Sequence, residues 1–318
     1  MKAWLTLSVK LIISACLLGL VFYFIPFANV ISSLRTAELS WVAAALGLGV
    51  LQTYLSAARL KILTDKQGIN ARYADIVNIN FIGTFYGTIL PGELASGVIR
   101  WQRLYQIDHK GHEALSAIIF ARFISTVYLV LFGILFSLLD DVRSHFNLLV
   151  SIFFFIFMGL MLVCLIGTIP QFTTVLARFE KAMPQSLQRI LQKQLSAIGR
   201  FRQLPRRTIL AVSIISSLEH LVGIFLILFL AYAVSAEITF VQIGWLRSAV
   251  VLVQLLPVSF SGLGVREGTI VLLLQPYGIE GAQAVSLSLL LFGKNLFIGA
   301  IGGIIEVKSL IVSLSKDS

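Results

Sequence analysis

Long apolar runs separated by short polar segments extend along the whole chain. A helix needs about 20 apolar residues to cross the hydrocarbon core of a bilayer. Runs of that length predict transmembrane helices at about 5–27, 41–63, 113–139, 148–170, 208–234 and 282–306. The pattern therefore predicts an all-α polytopic membrane protein with about six full spans, organised as a single membrane domain over residues 1–318.

Two apolar runs, at about 75–90 and 241–256, are shorter than the others. A helix of about 16 residues is roughly 24 Å long, which is less than the hydrocarbon core of roughly 30 Å. Each run then meets a proline, Pro91 or Pro257, which interrupts a helix, and another short helical piece follows. We interpret both regions as re-entrant helical hairpins, whose broken backbone is tolerated where it is buried in protein or lines a cavity.

The composition agrees with a membrane environment. Hydrophobic residues make up 58% of the chain and charged residues 13%, which would leave a soluble domain with large exposed apolar patches. The net charge of +10 lies in short segments between the apolar runs, where basic residues contact anionic headgroups. This distribution argues against nucleic acid as a partner.

The basic residues also predict the orientation. Between positions 171 and 207, eight basic residues accompany a single acid, Glu180, so this segment is assigned to the cytoplasm. With six spans, both termini then lie in the cytoplasm, and the protein is expected in the cytoplasmic (inner) membrane. The apolar residues from Leu187 to Ile198 follow a helical spacing, which predicts an amphipathic surface helix. A solvated basic linker is the alternative.

The two short runs end in similar motifs. An arginine follows each Leu-Pro pair nine residues after the proline, at Arg100 and Arg266, and the two prolines are 166 residues apart. The predicted topology makes the first hairpin enter from the cytoplasm and the second from outside. We therefore expect an inverted repeat, with pseudo-halves at about 1–170 and 207–318 joined by segment 171–206, and a site near the bilayer midplane.

Both arginines lie near the predicted start of a short helix, where free N–H groups and the helix dipole favour an anion. A guanidinium also binds phosphate through two parallel hydrogen bonds. Arg100 and Arg266 are therefore predicted to bind a headgroup phosphate together. Alternatively, they cap helix ends or pair with Glu93 and Glu267.

Polar residues inside predicted spans are further candidates, because a charge is costly at membrane depth. These candidates are Glu219, Lys294, Asn295 and Arg122. Glu219 and Lys294 are expected to pair, since buried charges are normally neutralised. Alternatively, a titrating Glu219 couples transport to protons.

Two more polar residues have simpler expectations. His220 is predicted to be a hydrogen-bonded core residue rather than a pH switch. Arg59 lies near the expected inner boundary, where its side chain can extend to the headgroups. No Walker motif, metal-ligand spacing or Gly-x-Ser-x-Gly motif occurs in the sequence, so no cofactor is expected.

The motifs resemble those of a known family. The stretch from Leu256 to Thr269, with Ser261-Gly262-Leu263-Gly264-Val265-Arg266-Glu267-Gly268, is similar to the signature of the flippase-like membrane domain of lysylphosphatidylglycerol synthases. Leu90 to Arg100 resembles its first-half counterpart, and Ala58-Arg59-Leu60-Lys61 resembles the end of its second span. The resemblance implies movement of aminoacylated phospholipid between leaflets. Standalone members are linked to other lipids or to polyprenyl-phosphate carriers.

The chain also departs from that family pattern. Ser96 and Val98-Ile99 replace the usual glycines and acid before Arg100, and the acid occurs earlier, at Glu93. The third span contains Ala121-Arg122 where the family has Glu-Arg. The sequence ends at Ser318 without a soluble aminoacyl-transferase domain, so we do not expect it to make lysyl-lipid itself.

Three functions follow as hypotheses. The leading one is a flippase or transporter for an anionic phospholipid or a lipid-linked substrate. The second is a polyprenyl-phosphate-dependent glycosyl- or headgroup transferase in which Glu93 or Glu267 acts as base. The third is a non-catalytic partner of a lipid-modifying enzyme, and a second copy of the chain is a further candidate partner.

Overall fold

The computed structural model of the protein describes residues 14–89, 94–140, 150–160, 204–254 and 262–314, and every element in these ranges is helical. The first-half elements are α1 (Ser14–Phe24), α2 (Phe27–Arg35), α3 (Leu39–Lys66), α4 (Tyr73–Ile89), α5 (Leu94–Asp108), α6 (Gly111–Leu139) and α7 (Val150–Leu160). The second-half elements are α8 (Arg206–Ala233), α9 (Phe240–Gln254), α10 (Val265–Leu274), a 3-10 turn (Gln275–Tyr277) and α11 (Gly281–Leu314).

Within the described ranges, four helices are long and apolar enough to cross a membrane, namely α3, α6, α8 and α11. They coincide with four of the six predicted spans. The α1–α2 pair adds a fifth if it is counted as one bent span. Helix α7 is the described part of the predicted span at 148–170. The remainder of that span, and residues 171–203 with the predicted amphipathic helix, lie outside the described residues.

The first predicted span, 5–27, is not one continuous helix. The chain bends by 83° between α1 and α2. Pro26 explains this break, because proline has no N–H for the helical ladder and its ring clashes with the preceding turn. Ile25 of the bend and Val30 of α2 are both buried beside Val285 of α11, so the two arms are fixed to the same long helix.

The two short apolar runs form the short helices α4 and α9, which end within two residues of the predicted positions. A second short helix, α5 or α10, follows each of them, as the sequence predicted. The breaks themselves, at 90–93 and 255–261, lie outside the described residues. Each region therefore contains two consecutive short helices, as a hairpin requires.

Helices α4 and α5 pack closely side by side. A Cβ atom added to Gly83 would lie 2.7 Å from Arg100 Nε, and one added to Gly87 would lie 3.1 Å from Ser96 Cβ. Residues later in α4 thus meet residues earlier in α5, which makes the pair antiparallel. The two glycines let α5 approach closely enough to bring Arg100 against α4.

Helices α3 and α8 form a long antiparallel pair. The Glu38 N–H donates to the Ala233 carbonyl over 3.0 Å at one end of the pair. Further along, the Gln52 side-chain amide donates to the Glu219 carbonyl over 3.4 Å. This register brings the C-terminal part of α3 level with the N-terminal half of α8, on the side where the candidate site lies.

Each hairpin packs against a long helix of the other half. Helix α4 lies on α11, where a Cβ atom at Gly302 would strike the Phe81 carbonyl. Helix α9 lies on α6, where the Ser248 hydroxyl donates to the Leu129 carbonyl over 2.8 Å. The two halves are therefore packed together through their hairpins.

A carboxylate on each of these long helices also binds the hairpin that it supports. At the end of α6, Asp140 accepts hydrogen bonds from Trp245 Nε1 over 2.9 Å and from the Tyr277 hydroxyl over 2.8 Å. On α11, Glu306 forms an ion pair with Arg103 of α5. A carboxylate thus attaches each hairpin to a long helix of the other half of the sequence.

Candidate functional site

A polar cavity of about 440 Å³ lies between the α3–α8 pair, the α4–α5 hairpin and helices α6 and α9. A smaller chamber of about 160 Å³ adjoins it near α11. Asn80, Arg100, Glu219 and Asn295 line both chambers, which are together named the basic cavity. Its lining comes from both halves of the sequence.

Cationic side chains dominate the lining of the basic cavity. Within the part of the chain that the structure describes, they come from five different helices: Arg59 (α3), Arg100 (α5), Arg122 (α6), Arg247 (α9) and Lys294 (α11). Glu219 is the one carboxylate among the described lining residues. Charges held among apolar helices are costly unless they are neutralised, so this excess of positive charge favours a bound anion.

Glu219 pairs with Arg59 rather than with Lys294. Arg59 is 5% exposed, forms an ion pair with Glu219 and lies 3.5 Å from Ser216 Oγ. The predicted Glu219–Lys294 pair is therefore wrong, and so is the expectation that Arg59 extends to the headgroups. The reason is the register of α3 and α8, which places Arg59 opposite the start of the polar stretch in α8.

Lys294 lines the smaller chamber together with Asn295. Its side chain packs against α3 at Gly49, where an added Cβ atom would lie 3.1 Å from Lys294 Cδ. No ion pair to Lys294 is found among the described residues. Its ammonium group therefore adds a positive charge to the smaller chamber without a carboxylate partner among the described residues.

His220 holds Arg247 at the wall of the cavity. Arg247 Nη1 lies 2.6 Å from His220 Nδ1, and His220 Nε2 lies 2.9 Å from the Ser125 carbonyl. A guanidinium has only donors, so Nδ1 accepts and the proton is on Nε2, which donates to the carbonyl. His220 is therefore a neutral, buried, hydrogen-bonded residue, as predicted. Gly223 leaves space for the guanidinium against α8.

Asn80 lines both chambers from the middle of α4. It is 1% exposed, and neither its amide nitrogen nor its oxygen has a hydrogen-bond partner among the described residues. A buried polar group without a partner costs about 1–3 kcal/mol, so such groups in native proteins commonly have a role in binding. Asn80 can donate to a bound phosphate oxygen or accept from a hydroxyl group.

Arg266 and Glu267 are not among the residues that line the basic cavity. They are 3% and 0% exposed and form an ion pair with each other, and Arg266 Nε donates to Ser288 Oγ over 2.7 Å. Glu267 also accepts from the Gly264 N–H over 2.7 Å, which caps α10. The structure thus does not bring Arg266 into a phosphate site with Arg100. Arg266 instead neutralises the Glu267 carboxylate that caps α10, which is the alternative given for it in the sequence analysis.

Of the remaining predicted site residues, two line the cavity and one lies outside the described residues. Arg122 lies on the face of α6 that lines the larger chamber, and Asn295 lines both chambers. Glu93 lies outside the described residues. Glu267, which caps a buried helix, is not placed to act as the base that the transferase hypothesis assigned to it.

Two lining residues were missed in the sequence. Arg247 and Asn80 both lie within the short apolar runs that were interpreted as hairpin arms. Each run is apolar on average, so averaging over the run conceals its polar residues. The signal was nevertheless present, because a polar side chain at membrane depth is a functional candidate by default.

Comparison with known proteins agrees with the motifs. Among curated proteins, no relative matches this chain. A sequence model of the family described as "Lysylphosphatidylglycerol synthase TM region" matches residues 7–303. This match covers nearly the whole sequence, including every helix that lines the basic cavity. The chain therefore belongs to the lysylphosphatidylglycerol synthase TM region family.

Proposed function

We propose that the protein moves an anionic phospholipid or lipid-linked substrate between leaflets and binds the headgroup phosphate in the basic cavity. The observation that carries this proposal is the lining itself, in which five helices direct cations into one space with a single described carboxylate. The family is consistent with a lipid substrate. A phosphate-bearing headgroup supplies a negative charge of the kind that these cations attract.

The proposed phosphate ligands are the arginines that surround the larger chamber. Arg100 and Arg247 approach from the two short-helix regions, and Arg122 approaches from α6. Guanidinium groups suit phosphate because they donate parallel hydrogen bonds in a fixed plane. Asn80 and Asn295 add uncharged amide groups that can bind the polar atoms beside the phosphate.

The proposed transport path follows from an inverted repeat of the two halves. Helices α3 and α4 begin at residues 39 and 73, and α8 and α9 begin at 206 and 240, which is the same separation. The antiparallel α3–α8 pair supports a two-fold axis in the membrane plane. The reciprocal packing of α4 on α11 and of α9 on α6 supports the same axis. A site on such an axis can open to either side in turn.

In this proposal the two helix–break–helix regions are re-entrant hairpins that enter from opposite faces of the cytoplasmic membrane. The termini then lie in the cytoplasm. Broken backbone at membrane depth is stable where it lines a cavity, and the first hairpin contributes Arg100 to such a cavity. The hairpins are the elements expected to change position when the cavity opens.

Reconstituted vesicles provide the test. Phosphatidate, phosphatidylglycerol and polyprenyl phosphate carrying a fluorescent label would each be placed in one leaflet, and leaflet exchange would be measured by dithionite quenching. We expect exchange of at least one anionic lipid with the protein, and a loss of ten-fold or more, about 1.4 kcal/mol or more, with Arg100→Gln or Arg247→Gln.

The matched control is Arg72→Gln. Arg72 is an exposed arginine whose side chain pairs with Asp75 and does not line the basic cavity. This variant should retain the exchange rate of the unmodified protein. Exchange no faster than in protein-free vesicles for all anionic lipids would reject the proposed function, and an equal loss in all three variants would reject the role of the cavity.

A further inference from the structure

An apolar groove of about 470 Å³ adjoins the basic cavity on the side of α5 and α6. Its walls are made mainly of large hydrophobic side chains from these two helices, and Leu160 of α7 closes one edge. The side chains that define the groove are Val98, Trp101, Leu115, Ile119, Phe123 and Leu160. Its volume is within the range of about 300–1,000 Å³ that is typical of ligand pockets.

The groove and the basic cavity have part of their lining in common. Gly97, Ile118, Arg122 and Thr126 line both spaces. On α6, the exposed Arg122 lines both spaces, whereas Leu115, Ile119 and Phe123 line only the groove.

We infer that the apolar groove binds the hydrocarbon tail of the same lipid whose phosphate occupies the basic cavity. This inference rests on the proposed function and deepens it, because it assigns the hydrocarbon tail of the lipid a binding site of its own. The shared lining selects a lipid over an apolar helix of a partner, because an occupant that passes from the apolar groove into the basic cavity must be apolar at one end and polar at the other. The tail gains van der Waals contacts with the apolar side chains of the groove, and the phosphate neutralises the cations.

Gly97 offers a position at which a side chain can be placed in the junction between the two spaces. It lines both spaces, and a Cβ atom added there would meet no heavy atom within 4 Å. Gly97→Phe should therefore fill the passage. The matched control is Gly47→Phe on α3, where an added Cβ atom also meets nothing within 4 Å and neither space is lined by the residue.

The direct test is photolabelling in nanodiscs with a long-chain phosphatidate that carries a diazirine in its tail. The comparison lipid is a phosphatidylcholine with the same labelled tail, and adducts would be mapped by mass spectrometry. We expect phosphatidate to label the α6 side of the groove at Leu115, Ile119 and Phe123 about ten-fold more than phosphatidylcholine does. Leu135, an exposed residue of α6 outside the groove, should be labelled equally by both lipids.

The variants complete the test. Gly97→Phe should abolish the phosphatidate preference at Ile119, whereas Gly47→Phe should retain it. Equal labelling of Ile119 by the two lipids, or a preference that survives Gly97→Phe, would overturn the tail site. Headgroup-dependent labelling without leaflet exchange would uphold the tail site and reject transport. Exchange without this labelling would reject the tail site alone.

Discussion

Asn80 lies within an apolar helix with neither end of its amide group hydrogen-bonded to a described residue. An apolar residue of similar size at this position would avoid the cost of the buried amide. Stability alone does not account for an asparagine at this position, whereas a ligand in the basic cavity does. The residue therefore connects local stability with the proposed binding of a headgroup.

Asn80→Leu should stabilise the protein and impair its function. Removal of two unsatisfied buried groups is expected to raise the free energy of unfolding by about 1–3 kcal/mol. Leaflet exchange should fall, because the amide no longer binds the substrate. Thermal unfolding in detergent and the vesicle assay would measure the two effects. A variant that loses stability and keeps full exchange would contradict this role.

Glu219→Gln should strongly destabilise the protein, because it leaves Arg59 buried without its carboxylate. Breaking a buried pair on one side costs about 3–5 kcal/mol. The double variant Arg59→Met with Glu219→Leu should recover most of that loss, and thermal unfolding would measure both.

The control for this prediction is Lys61→Met on the same helix. Lys61 pairs with Asp65 at an exposed position, and exposed pairs contribute about 1 kcal/mol or less. Its unfolding temperature should stay close to that of the unmodified protein. If the double variant is no more stable than Glu219→Gln alone, the Arg59–Glu219 pair is not the source of the loss.

The sequence identified most residues of the site but not their partners. Glu219, Lys294, Asn295 and Arg122 were chosen as polar groups at depth, Arg100 was chosen from its motif, and Arg59 was expected to extend to the headgroups. The structure places all six in the lining of the cavity. The pairing of Glu219 depends on the rotation and register of α3 against α8. Both helices are apolar around most of their circumference, so periodicity does not reveal these quantities.

At the scale of elements, hydropathy and proline positions located most of the described helices. The short helices α4 and α9 end close to Pro91 and Pro257, where they were expected to be interrupted. The four long spans lie where the apolar runs predicted them. The bend at Pro26 was missed because apolar sequence continues on both sides of it. A proline in a long apolar run should therefore be interpreted as a possible break even without a change in composition.

Glu306→Gln should loosen the first hairpin, because Glu306 pairs with Arg103 and also accepts a hydrogen bond from Tyr86 over 3.1 Å. Asp140→Asn should likewise loosen the second hairpin. Amide hydrogen exchange should become about ten-fold faster in α4 and α5 for the first variant and in α9 and α10 for the second. Faster exchange in the same hairpin for both variants would contradict the reciprocal attachment.

At the scale of the whole molecule, the proposed inverted repeat predicts that equivalent loops lie on opposite sides of the membrane. His112 at the start of α6 and Glu280 before α11 are both exposed. In a background with Cys16 and Cys164 replaced by serine, His112→Cys should react with a membrane-impermeant maleimide only from the cytoplasmic side. Glu280→Cys should react only from the other side. Labelling of both from one side would reject the inverted arrangement.

The packing of each hairpin on the other half also affects how the protein is made. During synthesis, α4 and α5 are translated long before α11, which carries Gly302 and Glu306. The early chain must therefore keep an arginine-bearing pair of short helices in or near the translocon without its final neighbour. Packing of the N-terminal half is therefore complete only after α11 has been made, so a fragment ending before α11 lacks the surface on which its own hairpin rests.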